Sequence, residues 1–425
     1  MLVTIAVLSL CVLLAMRVPI AFALGISAWL YMWLSDVSLL VLAQQVANGP
    51  DNWILLAMPL FVLAGLLMNA TGIADRIFAL ARALVGHIRG GLALVNVVDS
   101  MLFGGLSGSA TADSAALGSI IIPAMTREGY PPAFAAALTS STASIGIIVP
   151  PSITMIIYGS VAGVSVGALF VAGIIPGLLV MLVQGLTVYA IARSRGWGGD
   201  TRFSWRGLGK AIRDAWLALI MPLIIIGGIV FAVFTPTEAG AVAVVYGVVV
   251  GFVFRALSLR SLYRALVDSA ILTAIVMILV STSISLTWVF SHEQVPQLLT
   301  SWFLTLTQDP TVLLLIITVL LLVIGFPLPG DPILLIIVPI LLPAVKAMNI
   351  DLLHFGVIVA FTIAIGNQTP PVGSSLFVVS ALSGRGIMEI TMANIPFILV
   401  MTALMYLLLF MPQLVVVLPR LAGLA

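Results

Sequence analysis

Long apolar runs alternate with short polar joints along the chain. Because an α-helix needs about 20 apolar residues to cross roughly 30 Å of hydrocarbon, each long run is predicted to be a membrane span. Two of the runs are interrupted by glycine and paired prolines, so they are predicted to be broken helices. The predicted spans are 2–16, 18–34, 53–70, 131–163 (broken) and 168–192 in the first half, and 215–234, 237–254, 267–290, 354–382 (broken) and 391–417 in the second.

Each half also contains two shorter apolar arms that meet at a tip rich in glycine. The first pair, 91–126, meets at Gly104 to Ser109, and the second pair, 311–347, meets at Gly325 to Pro332. Arms of about 14 to 17 residues reach only ~21 to 26 Å as helix, at about 1.5 Å per residue. We therefore predict two re-entrant hairpins, which enter the membrane and return.

An amphipathic stretch precedes each hairpin, Ile73 to Arg82 in the first half and Gln294 to Leu306 in the second. Apolar residues at helical spacing suit a helix that lies in the membrane interface. An ordinary loop helix fits the same pattern equally well.

Three sequence matches recur at a spacing of 220 residues. They are IIIPAM at 120–125 with ILLPAV at 340–345, the proline pair 150–151 with 370–371, and IPGLLVM at 175–181 with IPFILVM at 395–401. These matches predict an internal duplication, with repeat 1 at 1–195, a cytoplasmic linker at 196–214 and repeat 2 at 215–425. Five crossings per repeat make the second repeat inverted in the membrane. Broken helices at corresponding places in two halves are typical of a transporter's binding site.

Composition and charge narrow the class of protein. Hydrophobic residues make up 62% of the chain and charged residues 8%, with a mean hydropathy of +1.28, which indicates a polytopic membrane protein in contact with lipid. The net charge of +2 is too small to suggest a nucleic acid as partner. Cys11 is the only cysteine, so an internal disulfide and a cysteine metal cluster are excluded. No basic region precedes the first apolar run, so we expect a retained span and not a cleaved signal peptide.

The basic residues predict an orientation. If the loop at 193–213 faces the cytoplasm, only Lys346 and Arg420 of the 17 basic residues fall on the opposite side. This bias follows the positive-inside rule and predicts that both termini face outward. It also places the mouth of the first hairpin inside and that of the second outside.

Hydroxyl groups gather at the tip of the first hairpin, on Ser107, Ser109 and Thr111. The glycines let carbonyl oxygens turn inward, and a helix that begins near Ser109 points its positive end at the tip, which favours an anion. Oxygen ligands without sulfur or imidazole suit a hard cation such as sodium. The alternative is that the small residues only allow helices to pack closely.

The broken helices contribute further oxygen atoms. Pro150 and Pro151 disrupt the preceding turn, so carbonyls near Gly146 lose their helical partners and become potential cation ligands. In the second half, Asn367 and Gln368 lie within an apolar span, where an unsatisfied amide is costly. We expect each amide to bond a ligand or the opposite hairpin, and a helix-to-helix hydrogen bond is the alternative.

Two acidic residues, Asp113 and Asp331, lie just beyond the two hairpin tips. Ionisable groups at membrane depth are taken as functional by default. Asp331 is equally suited to cap the returning helix of its hairpin.

Two patterns of intramembrane proteases are excluded. Residues 105–108, GLSG, resemble the GxSG of rhomboid-like serine proteases, but the three histidines, His87, His292 and His354, are predicted at membrane surfaces, too far away to act as the base. The GxGD of aspartyl proteases fails because Leu328 replaces its first glycine. We therefore do not expect an enzyme.

With both hairpins and both broken helices in place, the chain resembles the DctM-like large membrane subunit of tripartite ATP-independent periplasmic (TRAP) transporters. The most specific motifs are GGLSGSATADSAALGSIIIPAM, SSTASIGIIVPPS and GNQTPPVGSSLFV, and the resemblance covers essentially the whole chain. It implies an all-α fold of the elevator-type ion-transporter superfamily, with the hairpins and broken helices as the moving part. It also implies sodium-driven uptake of a carboxylate, such as a C4-dicarboxylate or sialic acid, across the bacterial inner membrane.

The resemblance further implies two protein partners and no cofactor beyond the coupling sodium ions. The partners are a small four-helix membrane subunit, which is not fused to this chain, and a periplasmic binding protein that delivers the substrate. One sodium site would contain Ser107, Ser109, Gly146 and Pro150, and a second would contain Gly325, Gly366, Gln368 and Thr369. The substrate would be bordered by Thr111, Asp113, Ser144, Asp331 and Asn367.

Two other functions stay open at this point. One is a stand-alone sodium/carboxylate symporter of the same superfamily, although LSGS at 106–109 stands where those symporters usually carry Ser-Asn-Thr. The other is a channel or passive pore, which inverted repeats with paired hairpins argue against.

Overall fold

Helices occupy nearly every apolar run predicted from the sequence. The computed structural model describes residues 2–199, 203–231, 233–326, 328 and 330–424, and within them no strand occurs. The helices of the first half are α1 (Leu2–Ala15), α2 (Ile20–Leu34), α3 (Leu39–Asn48), α4 (Ala57–Ala70), α5 (Ile73–Val85), α6 (Gly91–Ser107), α7 (Ala110–Arg127), α8 (Pro132–Ala143), α9 (Ile145–Ile148), α10 (Ile153–Ala162) and α11 (Val166–Arg195).

The second half follows a similar order. Its helices are α12 (Trp205–Val230), α13 (Pro236–Val253), α14 (Leu259–His292), α15 (Val295–Leu306), α16 (Pro310–Gly325), α17 (Gly330–Pro332), a π-helical segment (Ile333–Ile337), α18 (Val338–Ala347), α19 (Leu352–Gly366), α20 (Ser374–Ser383), α21 (Ile387–Phe410) and α22 (Gln413–Leu421). Hairpin 1 is thus α6 with α7, and hairpin 2 is α16 with α17, the π segment and α18. The broken helices are α8 to α10 and α19 with α20.

Polar residues at the borders of the apolar runs define where the helices begin. The Ser165 hydroxyl accepts a hydrogen bond from the Ala168 N–H at 3.3 Å, and Asp309 accepts from the Thr311 N–H at 2.7 Å. Thr235 and Glu238 form a capping box at the start of α13. These oxygens satisfy N–H groups that have no partner within the helix, so each span starts at a defined residue.

The observed boundaries differ from the prediction in several places, and α14, for example, begins at Leu259, before the predicted span 267–290. Helix α12 begins at Trp205, capped by Ser204, so only 196–199 and 203–204 of the predicted linker are described outside helices, and residues 200–202 lie outside the described part. The predicted last span, 391–417, ends at Phe410, and α22 is a separate helix that packs against α11. The short helix α3 was not predicted. At the second tip, residues 327 and 329 lie outside the described residues.

The hairpins and broken helices form the centre of the molecule. Every residue from Ala133 to Ala143 in α8 and from Leu353 to Gly366 in α19 is buried. Helix α20 packs against α7 and α8, and α21 packs against α8, so elements of the second half are joined directly to those of the first. The outer helices α4, α13 and α14 pack together, and α14 also packs against α2. Their outer sides expose large apolar side chains, as a surface in lipid requires.

Six of the described helices are long and apolar enough to cross a membrane, namely α11 to α14, Gly330–Ala347 and α21. The number rises to eight if the bent pairs α4 with α5, at 74°, and α8–α9 with α10, at 42°, are single spans. The ten predicted crossings also include α1, α2 and the pair α19 with α20. Each of these four helices has only 10–17 residues, which is too short to count as a span by itself. For these elements the crossing stays a prediction, and so does the inverted relation of the two halves.

Candidate functional site

The tip of hairpin 1 rests against the break of the first broken helix. The chain turns at Gly108 with φ +64°, and the Gly108 carbonyl accepts a hydrogen bond from the Ile153 N–H at 3.3 Å. A Cβ at Gly108 would collide with the Pro151 carbonyl oxygen. Since glycine alone adopts this conformation at little cost and also leaves the space, the tip depends on Gly108 for its position.

The carboxylate of Asp113 lies buried between hairpin 1 and α9. The Ser107 hydroxyl donates to Asp113 Oδ1, while Oδ2 has no hydrogen-bond partner among the described residues. A Cβ on Gly146 would stand 2.5 Å from Oδ2, and a Cβ on Gly104 would stand 2.9 Å from the Gly146 Cα. Two glycines therefore keep open the gap that holds this carboxylate. A buried carboxylate oxygen without a donor is a favourable ligand for a hard cation.

The other predicted residues of the first sodium site lie around this gap. Ser109 caps α7, where its hydroxyl accepts from the Ala112 N–H at 3.5 Å, and its own N–H donates to the Ser107 hydroxyl at 3.2 Å. The Pro150 carbonyl oxygen lies 3.6 Å from the place of a Cβ on Gly105. The structure thus places Gly146 and Pro150 against Gly104 and Gly105 of α6, in the last turn of which Ser107 lies.

The second tip makes the same backbone contact with the second broken helix. The Phe326 carbonyl accepts from the Val372 N–H at 3.3 Å, and a Cβ on Gly366 would stand 2.9 Å from the Gly325 carbonyl oxygen. The Thr369 hydroxyl donates to the Ile365 carbonyl at 2.6 Å. The Pro150–Pro151 and Pro370–Pro371 peptide bonds are both cis. Gly325, Gly366 and Thr369 are therefore neighbours at the second tip.

The side chain of Gln368 does not face the hairpin. Asn394 of α21 donates both to the Gln368 backbone carbonyl at 3.1 Å and to its Oε1 at 3.2 Å, and both residues are fully buried. The observed contact is thus the helix-to-helix alternative. Asn394 was not predicted to matter, although a single amide inside the apolar run of α21 was the available signal.

A cavity of about 290 Å³ lies between the two tips and the outer helices α4 and α14. Thr111, Asp331 and Asn367, three of the predicted substrate residues, line it. Asp113 and Ser144 are buried outside its lining, and the Ser144 hydroxyl donates to the Ala364 carbonyl at 3.1 Å, which links the two broken helices. Asn69 of α4 also lines the cavity, and its position in an apolar run was the signal that could have identified it.

The polar lining of this cavity combines hydroxyl groups and helix N-termini with the two amides Asn69 and Asn367 and one carboxyl group, Asp331. The first turns of α7, α10 and α20 contribute Ser109 to Ala112, Ile153 with Thr154, and Ser374 to its lining. Of the described residues that line it, none is Lys, Arg or His, and Asp331 is the single acid. Helix N-termini carry partial positive charge, so three of them directed at one cavity favour an anion.

Helical hairpins that meet two broken helices at a shared cavity are typical of membrane transport proteins. The fold is shared with the YdaH transporter of Alcanivorax borkumensis, whose crystal structure aligns with a TM-score of 0.63 over 87% of this chain and 86% of that one, at 16% sequence identity.

Sequence comparison identifies the family. The family model for the tripartite ATP-independent periplasmic transporter, DctM component, matches residues 7–414. The chain is 40% identical to the sialic acid TRAP transporter large permease protein SiaM of Vibrio cholerae and 38% identical to the C4-dicarboxylate TRAP transporter large permease protein DctM of Pseudomonas aeruginosa, each over 95% of both chains. The chain belongs to the DctM component family of TRAP transporters, which confirms the resemblance drawn from the sequence.

Proposed function

We propose that the chain is the large permease of a sodium-coupled uptake system for a carboxylate-type organic acid, such as a C4-dicarboxylate or sialic acid. The observation that carries this proposal is the cavity between the two tips, where the first turns of α7, α10 and α20 converge without a basic side chain. An anion bound there is stabilised by helix N-termini and hydroxyl groups, a mode typical of transporters with broken helices. The relatives named for sialic acid and C4-dicarboxylates support the substrate class.

Sodium is the coupling ion in this proposal, with one ion at each tip. The first ion is held by Ser107, Ser109, Gly146 and Pro150, beside the free oxygen of Asp113. The second is held by Gly325, Gly366 and Thr369, while Asn394 keeps Gln368 and the shape of the break in place. Two cations next to the cavity add the positive charge that its side chains lack.

The hairpins and broken helices move together in this proposal. Helix α20 packs against α7 and α8, and α19 packs against α9, so the two halves form one packed unit. The cavity lies at the boundary between this unit and the outer helices α4 and α14, which also contact the unit directly. An elevator motion of the unit past these outer helices carries substrate and ions across. Each charge moved through 100 mV contributes about 2.3 kcal/mol to the work.

The partners follow from the family, whose description makes this chain one component of three. We propose a small four-helix membrane subunit and a periplasmic binding protein that delivers the substrate. The complex then lies in the bacterial inner membrane, with both termini of this chain on the periplasmic side, as the distribution of basic residues favours.

Uptake by proteoliposomes tests the proposal. Labelled sialic acid and succinate are supplied to the purified chain, with and without the two partners, under an inward sodium or potassium gradient. We expect saturable uptake only with both partners and sodium. Equal uptake by the chain alone would support the stand-alone symporter, and ion flux without saturable uptake would support a pore. Uptake that is independent of sodium would remove the proposed coupling ion.

A further inference from the structure

Asp99 is a buried acid that none of the sites above uses. It lies on α6, the first arm of hairpin 1, about two helical turns before Ser107. Its exposed fraction is 0%, and neither of its carboxyl oxygens has a hydrogen-bond partner among the described residues. It does not line the cavity between the tips. A buried acid without a hydrogen-bond partner is costly unless its charge is neutralised, so Asp99 is expected to bind a neutralising ligand.

The polar groups nearest to Asp99 in the chain are engaged elsewhere. The Asn96 amide donates to the Thr139 hydroxyl at 2.8 Å, and the Ser100 hydroxyl donates to the Thr142 hydroxyl at 2.9 Å. Both bonds join α6 to α8. They leave Asp99 without a donor from its own helix.

Among the described residues, no basic side chain donates a hydrogen bond to Asp99. Hairpin arm α6 packs against α4, α5, α7, α8, α9, α11 and α12. The charged groups on these helices whose fields reach Asp99 are Asp113 of α7 and Asp75 of α5, and both are acids. An ionised Asp99 would therefore be a buried charge without a hydrogen-bond donor, and any neighbouring acid that is ionised would disfavour it further.

Two ligands can neutralise such a carboxylate, a metal cation or a proton. A hard cation needs several oxygen ligands around it, but no described hydroxyl donates a hydrogen bond to Asp99, and the described residues contain no cluster of three or more acidic, histidine or cysteine side chains that could hold a metal ion. A proton needs one oxygen only. Its binding forms one O–H bond, cancels one negative charge and requires no other reactant.

We propose that Asp99 is a proton-binding site within hairpin 1, distinct from the sodium sites and the substrate cavity. The acid is neutral in this conformation of the protein. Because α6 is part of the hairpin, the bound proton stays with the hairpin wherever the hairpin goes. This proposal does not depend on the identity of the substrate.

Infrared spectroscopy of the purified full-length protein tests the proposal without any transport assay. The spectrum at neutral pH is compared with that of Asp99→Asn, which keeps the shape of the side chain but carries no proton. We expect the wild type to show the carbonyl stretch of a protonated carboxylic acid that Asp99→Asn lacks. Asp99→Glu is expected to retain such a band at a shifted frequency. Asp75→Asn, which changes an exposed acid, should leave the band intact.

Two results would overturn the proposal. If the wild type and Asp99→Asn give the same spectrum in this region, Asp99 is ionised. If the band is present without sodium and disappears when sodium is added, Asp99 is a cation ligand and not a proton site. Asp99→Ser provides a second neutral variant should Asp99→Asn fail to fold, as judged by gel filtration and circular dichroism. Neither readout depends on uptake, so the result is separate from the fate of the proposed transport function.

Discussion

At the first hairpin tip the carboxylate of Asp113 points into the protein, whereas at the second tip Asp331 faces the cavity. The two residues are only two positions away from the 220-residue repeat spacing, and each follows a tip whose carbonyl accepts a hydrogen bond from the facing broken helix. The gap around Asp113 exists because Gly104 and Gly146 have no side chains. At the second tip, the Gly325 carbonyl oxygen lies beside Gly366, whereas at the first tip the Asp113 carboxyl oxygen lies beside Gly146.

The two tips therefore share a backbone contact with their broken helices but differ in the chemical groups beside it. One tip supplies a carboxyl oxygen in its interior, and the other supplies a backbone oxygen there and a carboxyl oxygen to the cavity. We therefore expect the two tips to respond differently to equivalent substitutions, and the following experiments address that expectation.

The largest effect is expected from Gly108→Ala, which places a Cβ against the Pro151 carbonyl in a left-handed conformation. Gly163→Ala is a matched control, because Gly163 has φ +69° and nothing within 4 Å of its Cβ position. The control should lose about 1–2 kcal/mol of unfolding free energy. Gly108→Ala should lose roughly 3 kcal/mol or more, together with sodium-dependent uptake. Equal losses in thermal unfolding would show that the contact with Pro151 does not position the tip.

An intermediate effect is expected from the two acids. Asp113→Asn should weaken sodium binding roughly 10–100-fold, because it removes the charge beside the first site. Asp331→Asn should leave sodium affinity unchanged and raise the affinity for an anionic substrate about tenfold, or about 1.4 kcal/mol, because it removes an acid from the cavity proposed to bind an anion. Sodium affinity is measured as the sodium-dependent shift in melting temperature, against potassium. The same loss of sodium affinity in both variants would contradict the distinction between the tips.

The smallest effect is expected from Asn394→Ala, which removes both hydrogen bonds to Gln368. Leaving these buried groups unpaired should cost about 1 kcal/mol of unfolding free energy. Gln308→Ala is the control, since the Gln308 amide also donates to a backbone carbonyl, at 2.7 Å, but in an exposed position where water replaces it. If the two variants melt alike, Asn394 does not hold the second break.

Much of this architecture could be predicted from the sequence, because glycine and proline inside apolar runs have few structural explanations. The hairpin arms α6 and α7, the break before Ile153 and the family itself were predicted in this way. The partner of Gln368 could not be, since Asn394 approaches it only when α21 packs in the fold. The Asp113 side chain can point into the protein only because Gly104 and Gly146 have no side chains. No local sequence pattern reveals that these two glycines face Asp113.

The hydrogen bond from Ser144 to the Ala364 carbonyl joins the two broken helices two residues before Gly146 and two residues before Gly366. A shift of either break therefore strains the contact that positions the other. Any ligand whose binding at one tip alters this contact changes the affinity at the other tip, and linkage makes the factor equal in both directions. The bond thus gives the two halves a thermodynamic means to bind their ligands cooperatively.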